Sequence, residues 1–170
     1  MLEVSKKQKN LAFIVFGIYF FLLVWLILFK FEIHISKLDT IRRINFIPFH
    51  YTDEIGMNFH LEEVIYNILV FVPLGVYIQF FKPRWSFFIK VLLAFCLSFI
   101  FESLQYIFAI GASDITDIID NTLGGIVGIL LAKILGKIFK EKSITIVNVI
   151  GMIIEVVAFA LIIVLFIANA

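Results

Sequence analysis

Acidic and amide side chains recur inside long apolar runs of this chain, where ionisable groups are costly and mark function more often than chance. Glu102 and Gln105 are three residues apart. They share a helical stripe with Ala94, Ser98 and Ala109, at about 100° per residue. Small residues on such a stripe let helices approach closely, so it reads as a packing seam carrying a carboxylate. Asp114, Asp117, Asp120 and Asn121 follow in the next run, with Gly124 and Gly128 further down the same face at GxxxG spacing. Asp114 is placed to cap that helix, and Asp117 to favour its positive N-terminal end. Asp120 and Asn121 lie deeper, where capping does not explain them. A third run carries His60, Glu63 and Asn67, then Pro73 and Gly75. Pro73 removes the amide that would bond the Leu69 carbonyl, and a kink is expected there.

The elements that must position these residues follow from composition. The chain of 170 residues is 62% hydrophobic and only 16% charged, with a mean hydropathy of +1.09. Disorder and disulfide scaffolds are excluded, and a bilayer is the natural solvent. The net charge of +1 gives no reason to expect nucleic acid. Cys96 is the single cysteine, so no intrachain disulfide forms.

A membrane helix needs about 20 mostly apolar residues. Five such stretches are present, at about 11–31, 61–81, 86–110, 113–138 and 144–167. The runs lack the period-two alternation of a membrane barrel. The fold expected is therefore all-α: a single-domain polytopic bundle of five transmembrane helices. With the N-terminus inside, ten of the 14 Lys and Arg fall on the inner side. Lys30, Lys37, Arg42 and Arg43 remain outside. The positive-inside rule then puts the C-terminus outside. The long outer connection, about Glu32 to His60, contains Asn45-Phe46-Ile47-Pro48-Phe49. It reads either as a segment lying at headgroup level or as a tethered loop dipping its aromatics.

Depth links the polar residues. At ~1.5 Å of rise per residue, Asn67, Glu102 and Asn121 each lie ~9–12 Å below the outer end of their span. Three helices thus bring polar groups to one level. The pattern implies an outward-facing acidic pocket with Asn67, Glu102, Gln105, Asp114, Asp117, Asp120 and Asn121 as its binding residues. The alternative is a buried hydrogen-bond network that only fixes packing. Carboxylates this close should not all ionise, so a shared proton or a cation is expected. In the last span Asn148, Gly151 and Glu155 share a face, which suits either the third or fourth span or a homo-oligomer seam.

Four of these elements resemble the VanZ-like family of membrane proteins. Asn45-Phe46-Ile47-Pro48-Phe49 looks like the family's Asn-Leu-Ile-Pro-Phe element. Asn67 through Gly75, with Phe71 and Pro73, resembles its Asn-(x)3-Phe-x-Pro-x-Gly motif. Glu102-Ser103-Leu104-Gln105 matches its Glu-x-x-Gln element. Asp114 through Gly125 resembles its Asp-(x)2-Asp-(x)2-Asp-Asn-(x)2-Gly-Gly pattern. The resemblance covers roughly Arg42 to Leu135 and omits the first and last spans. It implies a multi-pass protein of the bacterial plasma membrane. The family's founding member is associated with low-level resistance to teicoplanin, a lipoglycopeptide.

Several functions fit the pattern. A non-enzymatic factor would bind membrane lipid, a lipid-linked cell-wall intermediate or the lipoglycopeptide, and would need no cofactor. An intramembrane enzyme would use the carboxylates as acid and base, or hold a hard cation with His60. Against it, no nucleophile has a base nearby in sequence, and no HExxH-type metal pair occurs. A proton-coupled transporter would use the acids as a relay, yet the chain shows no inverted repeat. The first reading, a binding protein without a metal centre, is the one adopted.

Overall fold

In a bilayer no water is available to bond backbone amides, so each long apolar run must close its own hydrogen bonds as a helix. The computed structural model describes residues 5–29, 41–49 and 57–168. Five long helices account for most of them: α1 (Lys6–Phe29), α2 (Met57–Phe81), α3 (Phe87–Phe108), α4 (Ile115–Phe139) and α5 (Ser143–Ala168). Four stretches are long and apolar enough to cross a membrane: Lys6–Leu28, Leu61–Phe81, Phe87–Phe108 and Ile115–Val164. The last is 50 residues long, more than twice what one crossing requires. It contains α4, a 3-10 turn at Lys140–Lys142, and α5. Lys140 is in a left-handed conformation (φ 50°), which breaks regular helix.

The end of α3 departs from expectation. The third run was expected to stay helical to residue 110 and turn at Gly111–Ala112. Instead Ala109 takes φ 55° and closes the helix, its amide bonding the Gln105 and Tyr106 carbonyls. Ile110–Asp114 is then extended (β2) and pairs in parallel with Ile41–Asn45 (β1). Parallel strands require a long crossover, which α2 and α3 provide. Neither reading of the outer segment, at headgroup level or as a tethered loop, included this strand, which takes up part of it. The pair leaves no hydropathy signal, because the positions of β2 that alternate into the interior are Gly111 and Ser113. Beyond β1, Phe46, Ile47 and Phe49 are exposed, and Phe49 has φ 55°. The rest of the long outer connection, and the His60 side chain, lie outside the described residues.

Helix α4 packs on α2 backbone to backbone. A Cβ on Gly75 would overlap the Gly125 carbonyl oxygen, one on Gly128 the Val72 carbonyl, and one on Gly124 the Ile68 carbonyl. Between lipid-soluble helices, such close approach replaces the missing hydrophobic drive. The expected GxxxG seam is thus realised against α2. Helix α3 lies on α4's other side, where a Cβ on Gly125 would come within 2.6 Å of the Ala94 Cβ.

Helix α1 runs antiparallel to α2. Phe13 stacks on Phe81 at 4.3 Å, Phe16 contacts Tyr77 at 5.5 Å, and the Tyr19 hydroxyl donates to the Val70 carbonyl at 2.7 Å. Helix α2 continues through Pro73. The Asn148 face of α5 packs on α1, with Asn148 Nδ2 donating to the Gln8 carbonyl at 3.1 Å and Gly151 close to Val15 and the Tyr77 hydroxyl. Of the partners the sequence allowed, the third or fourth span or an oligomer seam, α5 touches α4 through Ile144 and Val147 beside Ala132, but its Asn148 face lies on α1.

Candidate acidic site

Local chemistry places the acids. Asp114 ends β2 and caps α4, its Oδ1 accepting the Thr116 amide at 2.7 Å. Its other oxygen, Oδ2, accepts from Asn45 Nδ2 at 2.9 Å. The cap therefore ties β1 to the start of α4. Its backbone amide donates to Glu102 Oε2 at 3.0 Å, and the Ser113 hydroxyl donates to the Glu102 carbonyl at 2.7 Å. Glu102 is buried and held by the strand that follows its own helix. The Phe49 amide donates to Thr116 Oγ1 at 3.0 Å, so the outer segment is fastened to the same helix start. Asn45 and Ser113 were not named as site residues. A short polar residue beside an apolar run carries no periodic signal of such a role.

The seven expected residues fall into separate groups on successive turns of the helices. Glu102 and Asp114 are joined as described. Asn67 of α2 donates to Asp117 Oδ1 of α4 at 2.7 Å, across the helix seam. Asn121 donates to Ser98 of α3 at 2.9 Å and is buried. Gln105 turns away and donates to the Ile27 carbonyl of α1 at 2.9 Å. Asp120 is 1% exposed, and neither of its carboxylate oxygens has a hydrogen-bond partner among the described residues. Glu102 is within electrostatic reach of Asp117, Asp114 and Glu63, and Asp120 of Asp114 and Glu63. Carboxyl groups are thus concentrated at this end of α2, α3 and α4. Among the described residues no group of three His, Cys, Asp or Glu has a metal-binding arrangement.

A cavity of about 510 Å³ opens beside Glu102. Ile44, Asn45 and Phe46 form one side. Phe95, Phe99, Glu102, Ser103, Tyr106 and Ile107 of α3 form the second. Ser113, Asp114, Ile115 and Ile118 complete it. Its surface is almost wholly apolar, and Asn45, Glu102 and Asp114 line it with their polar atoms largely turned to one another. Small-molecule pockets commonly have this size and this distribution of polarity. Of the expected binding residues, Glu102 and Asp114 line it. Asn67 and Asp117 belong to the α2–α4 contact, while Asp120 and Asn121 are buried within the bundle. The α2 side that the sequence suggested is replaced by β1.

The comparisons agree with the motifs. Protein VanZ of Enterococcus faecium is 35% identical over 129 residues, which cover 75% of this chain and 76% of that protein. No solved structure matches the chain. Residues 16–136 match the VanZ/LLP1 family, a stretch that contains every group of the acidic site and the glycine seam, and the chain belongs to that family.

Proposed function

We propose that this VanZ-family protein is a multi-pass protein of the bacterial plasma membrane that holds a lipid-like amphiphile in the cavity beside Glu102. In this reading the helices make five crossings, with the N-terminus inside and the C-terminus outside. The alternating directions of α1 to α5 and the clustering of Lys82, Arg84, Lys133, Lys137, Lys140 and Lys142 near the α2–α3 and α4–α5 connections support that topology. The acidic groups then face outward.

The observation that carries the reading is an almost wholly apolar cavity whose lining includes Glu102 and Asp114. An acyl or polyprenyl segment fits against Phe95, Phe99, Ile107 and Ile118. An amino or hydroxyl group of its head would hydrogen-bond the Glu102 carboxyl. At about 510 Å³ the space takes one chain segment and the adjoining polar group, not a whole lipoglycopeptide. Lipid-linked cell-wall intermediates and the lipid tail of teicoplanin both have this chemistry. Binding without turnover suffices for such a role.

Expression of this chain in a teicoplanin-sensitive Gram-positive strain should raise tolerance to the drug, and Glu102→Gln should abolish the increase at equal membrane abundance. Equal tolerance with and without the protein would contradict the proposed role. Full tolerance with Glu102→Gln would remove the Glu102 carboxyl from it.

A further inference from the structure

Glu155 is the single charged residue of α5 and stands at its middle. At ~1.5 Å of rise per residue it lies about 18 Å from the first residue of that helix and about 20 Å from the last. The side chain is 7% exposed, and its Oε1 has no hydrogen-bond partner among the described residues. No cation stands at that depth in the helices packed on α5. Helix α1 carries none from Leu11 to Phe29, and α2 none from Asn67 to Phe81. Helix α4 carries none from Asn121 to Ala132, and its Lys133 and Lys137 belong to the end that turns into α5. An ionised Glu155 would therefore be an unpaired charge near the centre of the bilayer, where such charges are rare and costly.

The neighbouring turn shows what the carboxyl meets. Gly151 lies one turn before Glu155, and a Cβ there would come within 3.0 Å of the Tyr77 hydroxyl of α2 and 2.8 Å of the Val15 side chain of α1. Helical side chains lean toward the turn N-terminal to them, so Glu155 leans over the space that Gly151 leaves to the tyrosine. Tyr77 is 2% exposed, and its hydroxyl also lacks a hydrogen-bond partner among the described residues. Electrostatic contact between the two groups agrees with this placement. Tyr19 of α1 adjoins Glu155 as well, but its hydroxyl is taken by the Val70 carbonyl. Both tyrosines are neutral donors, and a neutral donor solvates a buried carboxylate without cancelling its charge.

We infer that Glu155 is a proton-binding site, holding its proton beside the Tyr77 hydroxyl where α1, α2 and α5 meet, and that this proton keeps α5 docked. The site stands on a helix beyond the residues that match the family, 16–136, and apart from the acidic cavity. A neutral carboxyl has one O–H to donate and oxygens to accept, so Glu155 and Tyr77 satisfy one another without a buried charge. Loss of the proton leaves a charge in the seam and opposes the α5 contact. Docking is thus complete at low pH and weakens as pH rises through the titration of Glu155.

The test uses the full chain in phosphatidylcholine nanodiscs and infrared difference spectra of wild type against Glu155→Gln. At neutral pH wild type should show a protonated-carboxyl C=O stretch that the variant lacks. A carboxylate stretch lost in its place would overturn the inference. Glu155→Leu, which removes the carboxyl without adding a polar group, provides the same subtraction. On a Tyr77→Phe background the C=O stretch should move to higher frequency, because it has lost a hydrogen bond. An unmoved band would overturn the tyrosine's part. With Cys96 replaced by alanine, nitroxide labels on cysteines at Phe21 of α1 and Leu161 of α5, both exposed, report the docking. The distance distribution should spread to longer values as rising pH converts the wild-type C=O stretch to carboxylate, and should stay narrow over the same range in Glu155→Gln. The same response to pH in both proteins would overturn the proton's hold on α5.

Discussion

Asp120 is buried with neither carboxylate oxygen bonded among the described residues, whereas Asp117 is bonded to Asn67 and Asp114 to Asn45 and Thr116. The three acids therefore respond differently to substitution. Asp120→Asn keeps the shape and removes a buried carboxyl whose oxygens have no partner among the described residues, so thermal unfolding in detergent should show equal or greater stability. A loss above ~2 kcal/mol would mean that the charge itself is bonded. Asn67 and Asp117 form a polar pair across a helix seam. A double-mutant cycle with alanine at both sites should give a coupling of about 0.6–1.7 kcal/mol, the range for hydrogen bonds between membrane helices. Asp114→Ala removes a cap and should cost about 1 kcal/mol, while Asp114→Ser should restore most of it. Spacing alone identified Asp114 as a cap and set Asp120 apart from it. Spacing did not separate Glu102 from Gln105, which share a stripe yet reach β2 and α1 respectively, because the direction of a long side chain depends on neighbours that a single helix does not reveal.

The glycines divide the same way at the scale of elements. Gly75→Ala would drive a methyl group into the Gly125 carbonyl, and both atoms are backbone with no room to yield. The α2–α4 seam should separate, and size-exclusion chromatography should show loss of the monodisperse species. Gly136→Ala meets nothing within 4 Å and should be neutral or stabilising by up to about 1 kcal/mol, since glycine weakens a helix interior. Matching losses at both sites would mean that helix propensity, not close approach, governs these positions. The glycine seam was legible because GxxxG spacing maps directly onto one helical face. Its partner, α2, was not, because any helix with a small residue at the right height satisfies the same pattern. The β1–β2 pair was illegible for a related reason. It rests on backbone bonds between residues far apart in the chain, and its central cap contact, Asn45 with Asp114, gives no periodic trace.

For the whole molecule, helix content and the positions of the apolar runs followed from hydropathy, whereas α5's place beside α1 did not. Alternating helix directions predict sidedness. With Cys96 replaced by alanine, a cysteine at Phe46 should react with an impermeant maleimide in intact cells, and one at Glu141 only after permeabilisation. The reverse pattern would invert the proposed orientation and turn the acidic cavity toward the cytoplasm. The central claim concerns what fills that cavity, and lipid mass spectrometry of protein purified from its membrane addresses it most directly. Wild type should carry a stoichiometric amphiphile with an amino or hydroxyl head. Ile118→Trp, which fills the cavity, and Glu102→Gln, which replaces the carboxyl in its lining, should each lose that species while Lys133→Gln keeps it. The same amphiphile retained at wild-type level in both cavity variants would contradict the account.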